Sequence, residues 1–333
     1  MKRILIASFL LLSAGAIQAQ EVTLYSYRQN FLLAPLLQAF TDKTGIKVKT
    51  LFAKDGLVER IALEGEQSPA DLLLTSDFGR MLDAKRAGIS ATIDDETIKV
   101  LVPAHLMDPE GQWLALTMRA RLLYAAKQTV PFNTTISYED LGSKDFPYRI
   151  CMRSGTHPYN IGLIASMLAR HGEEKTRNWL IGLKNNLARR PQGNDRAQVK
   201  AVWAGECDIA IGNSYYYGKM LEKKEQRPWA DSVNILFPNQ EGRGTHVNIS
   251  GAVLMKHSPN REESIALLRF LLSDDAQRIY SKANYEYPIR ENIPRSELVA
   301  SWGTPKLDDQ DLSRIANLRA KASELVEDVG FDQ

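Results

Sequence analysis

The hydrophobic pattern begins with VTLYSY (22–27), a short apolar run that predicts a strand. FLLAPLLQAFTDKTG follows with apolar positions at helical spacing and a stop at Gly45. IKVKTLFA alternates as a second strand, GLVERIALEGE predicts a helix, and ADLLLTS is a continuous apolar strand. Strand, helix, strand, helix, strand implies parallel pairing with right-handed crossovers. A second series follows WLALTMRARLLYAA (113–126). It holds a strand in YRICMRS, helices in PYNIGLIASMLARHG and RAQVKAVWAGE, the strand CDIAIGN, and a strand near SVNILFP. THVNISGAVLMKHSP is apolar and β-branched and precedes two helical stretches, REESIALLRFLLSDDAQRIYSKA and DQDLSRIANLRAKASELVEDV. The pattern predicts two α/β units. The C-terminal helices have no sheet of their own and are expected to pack back on the first unit, so the chain crosses twice between units. Such a double crossing is a natural hinge. The resulting lobes are residues 20–118 with 253–333, and residues 119–252.

The N-terminus changes the picture of where the protein works. Lys2 and Arg3 precede the apolar run Ile4 to Leu12, which gives way to small residues up to Ala19. This is the pattern of a cleaved signal peptide, 1–19, too short to span a bilayer. About 314 residues then remain, more than one core usually organises. The 42 lysines and arginines nearly cancel the 40 aspartates and glutamates, which argues against a polyanion such as nucleic acid as partner. The two cysteines, Cys151 and Cys207, lie near the starts of predicted strands. An exported protein leaves both a disulfide and two small buried residues open.

Candidate chemistry is concentrated in IGNSYYYGKM (211–220), where three tyrosines follow a predicted strand end. On a strand Tyr215 and Tyr216 would face opposite ways. With Ser214 as N-cap of a helix, they fall in its first turn about 100° apart and can converge. CMRSGTHPYNIGLI repeats the arrangement, with Pro158 suited to the first helical position and Tyr159 next. Both places lie beyond the carboxyl ends of strands, where open α/β sheets bind ligands. Clustered phenolates are unfavourable, since a free phenol has a pKa of about 10 and like charges resist ionising together. A multivalent cation removes the objection, and ferric iron is the hard trivalent ion that matches anionic oxygens. Packing aromatics or a platform for sugar rings are the plainer readings of the same residues.

The stretches LYSYRQ, AFTDKTGIKV, SPADLLLTSD, RSGTHPYN, GNDRAQVKAVWAGECDIAIGNSYYYGKM and HVNISGAVL cover nearly the whole mature chain. In them it resembles the ferric-iron-binding periplasmic proteins of ABC importers, the FbpA/FutA type of the type II solute-binding fold. The resemblance implies a two-lobed α/β binding protein, each lobe a sheet flanked by helices. It also implies a monomer that captures Fe³⁺ in an interlobe cleft and delivers it to an inner-membrane ABC permease and its ATPase. It makes Tyr159, Tyr215 and Tyr216 the iron ligands and leaves Tyr217 as a neighbour. Other members add a histidine, or histidine with tyrosine, after the first strand. Here that place reads SYRQN, so Gln29 and Asn30 occupy the positions where those side chains would be; Gln29 and Arg28 are expected as cleft contacts, and Tyr27 is expected either as a fourth phenolate or as a residue lining the cleft. The family's carboxylate near the third strand is also missing, with Ser76 in its place and Asp77 adjacent.

Three phenolates neutralise Fe³⁺, so a carbonate or bicarbonate chelating alongside them calls for donors. Arg119 matches the family's anion-contacting arginine, and its planar fork suits carbonate. Ser154, Gly155 and Thr156 form an expected anion nest before the helix of Tyr159. The rival binding reading is an oxyanion or small organic ligand held by the same tyrosines as hydrogen-bond donors. Enzymatic activity is not expected: there is no G-x-S-x-G, H-E-x-x-H or P-loop, and the five histidines are scattered. Of these only His157 lies near the tyrosines, in a capping or packing position.

Overall fold

The computed structural model describes residues 20–290 and 292–333; the signal segment read at 1–19 lies outside the described residues. Strands β1 (Glu21–Ser26), β2 (Lys47–Phe52) and β3 (Leu72–Thr75) pair in parallel, in the order β2-β1-β3. The helices Asn30–Thr44 and Leu57–Glu64 make the crossovers. Gly45 ends the first in the left-handed region (φ 75°), its N–H bonded to the Thr41 carbonyl. β4 (Leu114–Ala126) is long because it serves two groups of strands. Its first part pairs antiparallel with β8 (Val247–Leu254), which pairs in turn with β3. From Arg121 onward it pairs with β6 (Ile209–Asn213) and β7 (Val233–Leu236), and β5 (Ile150–Cys151) lies beside β6 in parallel. β9 (Tyr287–Pro288) adds to β4 at Thr117 and Met118. The change of partners at Ala120–Arg121 divides the sheet into a first half around β1 and a second half around β6.

Each half buries its apolar strands under helices. Val22, Leu24 and Leu72–Leu74 are fully buried in the first, and Ile209–Ile211 in the second. Cys151 and Cys207, brought together by the β5–β6 pairing, form a disulfide with Cα atoms 5.9 Å apart.

Two expectations change here. The stretch 261–283 is two helices, Arg261–Leu272 and Asp274–Asn284, because Ser273 breaks it and caps the second by accepting from Ala276 N–H. The final helices, Leu312–Asn317 and Arg319–Asp328, do not simply return to the first half. They lie across both, packing on the helix Pro158–His171 as well as on Phe78–Arg86. Ion pairs explain the placement: Arg319 reaches Asp77 and Asp83 in the first half, while Lys321 reaches Glu173 and Asp328 reaches Arg177 in the second.

Candidate metal-binding site

The helix Pro158–His171 starts as its sequence requires. Proline occupies the first position, where no N–H is needed, and His157 Nδ1 accepts from Tyr159 N–H (3.2 Å) as the cap. Burial, then the Arg153 guanidinium, lower the His157 pKa to about 3, so the ring stays neutral in this role. The helix Tyr215–Leu221 follows β6 directly, but Ser214 is not its cap. Ser214 has helical dihedrals, and its Oγ accepts from Ala120 N–H (3.3 Å) on β4, because the hydroxyl faces the strand and not the first turn.

One buried ion pair fixes the two tyrosine segments relative to each other. Arg121 donates to Asp195 Oδ2 (2.7 Å), to Asn213 Oδ1 (3.1 Å) and to Asn160 Oδ1 (2.6 Å). Asn160 is the neighbour of Tyr159, and Asn213 lies two residues before Tyr215. Asp195 also accepts from Asn213 N–H (2.9 Å) and pairs with Arg153 (3.1 Å). Burial alone would raise the Asp195 pKa, but Arg121 and Arg153 hold its carboxyl below the usual range. Breaking such a pair strands a buried charge, at a cost of about 3–5 kcal/mol.

This scaffold brings Tyr159, Tyr215 and Tyr216 together. The rings of Tyr215 and Tyr216 lie tilted against each other with centroids 4.1 Å apart. Burial first, then repulsion from the phenols of Tyr159 and Tyr216, push the Tyr215 pKa well above its ordinary value, opposed by Arg119. Tyr216 is raised by burial, then by Tyr159 and Asp195. The guanidinium carbons of Arg119, Arg121 and Arg153 lie 5.6, 5.9 and 5.7 Å from the Tyr159 ring centroid. Tyr217 faces away, packed on Tyr124 (6.5 Å) and Trp302 (6.0 Å). Among the described residues no group of three or more His, Cys, Asp or Glu side chains is placed to hold a metal.

The other expected residues divide. Arg119, 1% exposed, donates to Ser250 Oγ while its Nε finds no partner, so donors remain open beside Tyr159. Arg28 is buried and already engaged, donating to both carboxylate oxygens of Glu286 (2.9 and 3.0 Å) and to Ser250 Oγ. Gln29 is exposed ahead of the helix Asn30–Thr44. Tyr27 does not join the phenols: its hydroxyl accepts from the N–H groups of Leu57 (2.9 Å) and Val58 (3.0 Å), and Arg80 stacks on its ring at 3.9 Å. A helix start with unpaired amides has claimed that oxygen. The expected nest is also taken from within. Ser154 Oγ and Gly155 N–H (2.7 Å) donate to the Asp332 carboxylate, delivered there by the last helix, and Thr156 is exposed. Glu286 and Asp195 are the functional neighbours that sequence reasoning missed. Glu286 stands alone in NYEYPIR with no motif around it, and nothing local marks Asp195 as buried.

A sheet in two halves joined by crossing strands, with phenols gathered where β5 and β6 end, defines a type II periplasmic binding protein. A sequence model for the bacterial extracellular solute-binding proteins matches residues 67–307, and the chain belongs to that family. It is 40% identical over 317 residues to iron uptake protein A1 of Synechocystis, covering 94% of this chain and 88% of that one. It is also similar to the crystal structure of apo ferric ion-binding protein A from Pasteurella haemolytica (TM-score 0.90, 46% identity, 95% and 99% of the two chains covered). The Trichodesmium protein solved with iron and citrate superposes at TM-score 0.89 with 40% identity, covering 93% and 99%.

Proposed function

We propose that this protein is the periplasmic binding component of an iron ABC importer, capturing Fe³⁺ on the phenolates of Tyr159, Tyr215 and Tyr216 without making or breaking a covalent bond. The observation that carries the reading is the convergence of three phenols beside arginines, Tyr215 buried and Tyr159 and Tyr216 half-buried, with no cluster of carboxylates or imidazoles to compete among the described residues. Left metal-free, Tyr215 and Tyr216 stay protonated because burial and repulsion from neighbouring phenols raise their pKa values. A trivalent cation reverses that balance: three protons leave and the charges cancel. The names of the relatives, iron uptake and ferric-ion binding, point to the same cargo.

Charge then argues for a companion anion. Among the described residues the buried Arg28, Arg119 and Arg121 pair with two buried carboxylates, Glu286 and Asp195, and Arg153 adds a further positive charge. The neutral iron–phenolate group sits in this excess, which a dianion such as carbonate balances, with Arg119 as its donor through the open Nε side. Residues 20–118 with the helices Arg261–Leu272 and Asp274–Asn284, and residues 119–252, act as lobes that rotate about β4 and β8, with the final helices lying across both. Because all three phenols are on the second lobe, iron binds the open form first and closure follows. Delivery to a membrane permease and its ATPase, as a monomer released from its signal peptide, completes the reading.

Calorimetric titration of the metal-free protein with Fe³⁺ presented as a weak chelate, and separately with phosphate and sulfate, tests it. Tight binding of iron with carbonate present supports the proposal. Binding of the oxyanions with no response to iron would replace it with the rival reading, an anion or organic ligand hydrogen-bonded by the tyrosines.

A further inference from the structure

The helix that carries Tyr215 and Tyr216 is fastened at two points, one on the crossing strand β4 and one on a segment that leaves the helix Asp274–Asn284. At its start, Ser214 N–H donates to the Ala120 carbonyl (2.9 Å) on β4, where the sheet changes partners. One turn later, Gly218 lies flat against the ring of Tyr285, so close that a Cβ at position 218 would overlap ring carbons Cγ and Cδ2. Lys219 Nζ secures the contact by donating to the Ala283 carbonyl (2.6 Å) and lies 5.5 Å from the Tyr285 ring centroid.

Tyr285 is itself unusual. It sits in the left-handed region (φ 56°, ψ 31°), which among the described residues only one other non-glycine, Asn239, shares. Side chains with a Cβ rarely adopt this conformation, and it survives where the surroundings over-determine it. Here it turns the chain out of the helix Asp274–Asn284, which packs on Asn30–Thr44 in the first half. The next residue, Glu286, then clamps Arg28 and lies 3.9 Å from Arg119. One short segment therefore holds the arginines with its carboxylate and the tyrosine helix with its ring.

We infer that Tyr285 is a positioning residue for the metal-binding phenols, its ring against Gly218 setting the rotation of the helix Tyr215–Leu221. Gly218 lies about 60° from Tyr215 around the helix axis. Any change in how that face seats on Tyr285 swings the Tyr215 phenol relative to Tyr159. The contact also ties the ligand pair mechanically to the segment that grips Arg28, so movement between the halves reaches the phenols through it. The inference rests on the iron reading above.

The test compares wild type with Tyr285→Ala, Tyr285→Phe, Gly218→Ala and Gly218→Ala with Tyr285→Ala, reading the visible ferric band, the ferric affinity and the metal-free melting temperature. Tyr285→Ala is expected to shift the band and weaken iron binding by about tenfold or more, as a small misplacement of a reacting group does. Tyr285→Phe, which keeps the ring, retains both. Gly218→Ala is damaging alone and nearly neutral once Tyr285 is alanine, because the obstructing ring is gone. A Tyr285→Ala protein that loses melting temperature but keeps wild-type band and affinity overturns the inference, and decides the question even if Gly218→Ala does not fold. A wild type without a ferric band refutes the iron reading itself before any variant is compared.

Discussion

Tyr215 and Tyr216 are consecutive in sequence, yet their rings lie with centroids 4.1 Å apart, tilted at an interplanar angle of 31°. That geometry places two phenol oxygens on one side of the helix, where Tyr159 meets them. Because burial and the neighbouring phenols raise the Tyr215 and Tyr216 pKa values, both are protonated at neutral pH in the metal-free state. If all three phenols ligate as phenolates, iron binding should release close to three protons, in the manner of metal sites whose ligands must ionise. Calorimetry in two buffers of different ionisation enthalpy measures that number, and ferric affinity should fall steeply on acidification. In the metal-free protein the same upward shift contributes stability that is fully present below the ordinary phenol pKa of about 10 and lost as pH rises beyond it.

Arg119→Gln removes the open donors beside Tyr159 and one positive charge. Its ferric affinity should become insensitive to added bicarbonate, while wild type responds, in chelator-competition titrations with and without the anion. A variant whose response equals wild type would mean that another group holds the anion.

The Cys151–Cys207 bridge joins positions 56 residues apart and ties the β5–β6 pair from which both tyrosine segments emerge. Replacing both cysteines by alanine should cost about 2–4 kcal/mol of stability by freeing the unfolded chain. Denaturant melts of the two proteins measure the loss. The ferric spectrum should be unchanged, because Arg121 and Asp195, not the disulfide, set the phenol geometry.

His246 is buried with no partner for Nε2, and burial, then Arg243 and Arg121, lower its pKa to about 3. The folded protein holds the neutral ring. Its contribution to stability is fully present above the ordinary histidine pKa of about 6.5 and is lost as pH falls through the window toward the folded value. His246→Gln, which does not titrate, should flatten the decline of the denaturation midpoint between neutral and acidic pH.

Much of this arrangement was legible from periodicity and turn grammar. A buried strand followed by Asn213-Ser214 and aromatic residues foretells a chain that turns into a helix where ligands bind, and Pro158 marks the matching helix start. The cap at Ser214 was misjudged because its Oγ bonds to a strand residue 94 positions away, a contact no local rule contains. Tyr27 and the Ser154–Gly155 donors are engaged from within the chain for a related reason. Their hydrogen-bonding groups are attractive to any ligand, and distant parts of the chain, the helix start at Leu57 and the Asp332 carboxylate, reached them first. Glu286 was invisible because its importance comes from Arg28, 258 residues earlier.

The central claim, that the three phenols ligate ferric iron, is tested most directly by visible absorption during titration of the metal-free protein with Fe³⁺. The account predicts a phenolate-to-iron charge-transfer band that saturates at one equivalent. The band should be abolished in the Tyr215→Phe and Tyr216→Phe double variant and retained in Tyr217→Phe, whose ring packs on Tyr124 and Trp302 away from the site. A colourless wild-type protein, or a band that survives loss of both Tyr215 and Tyr216 hydroxyls, would contradict it.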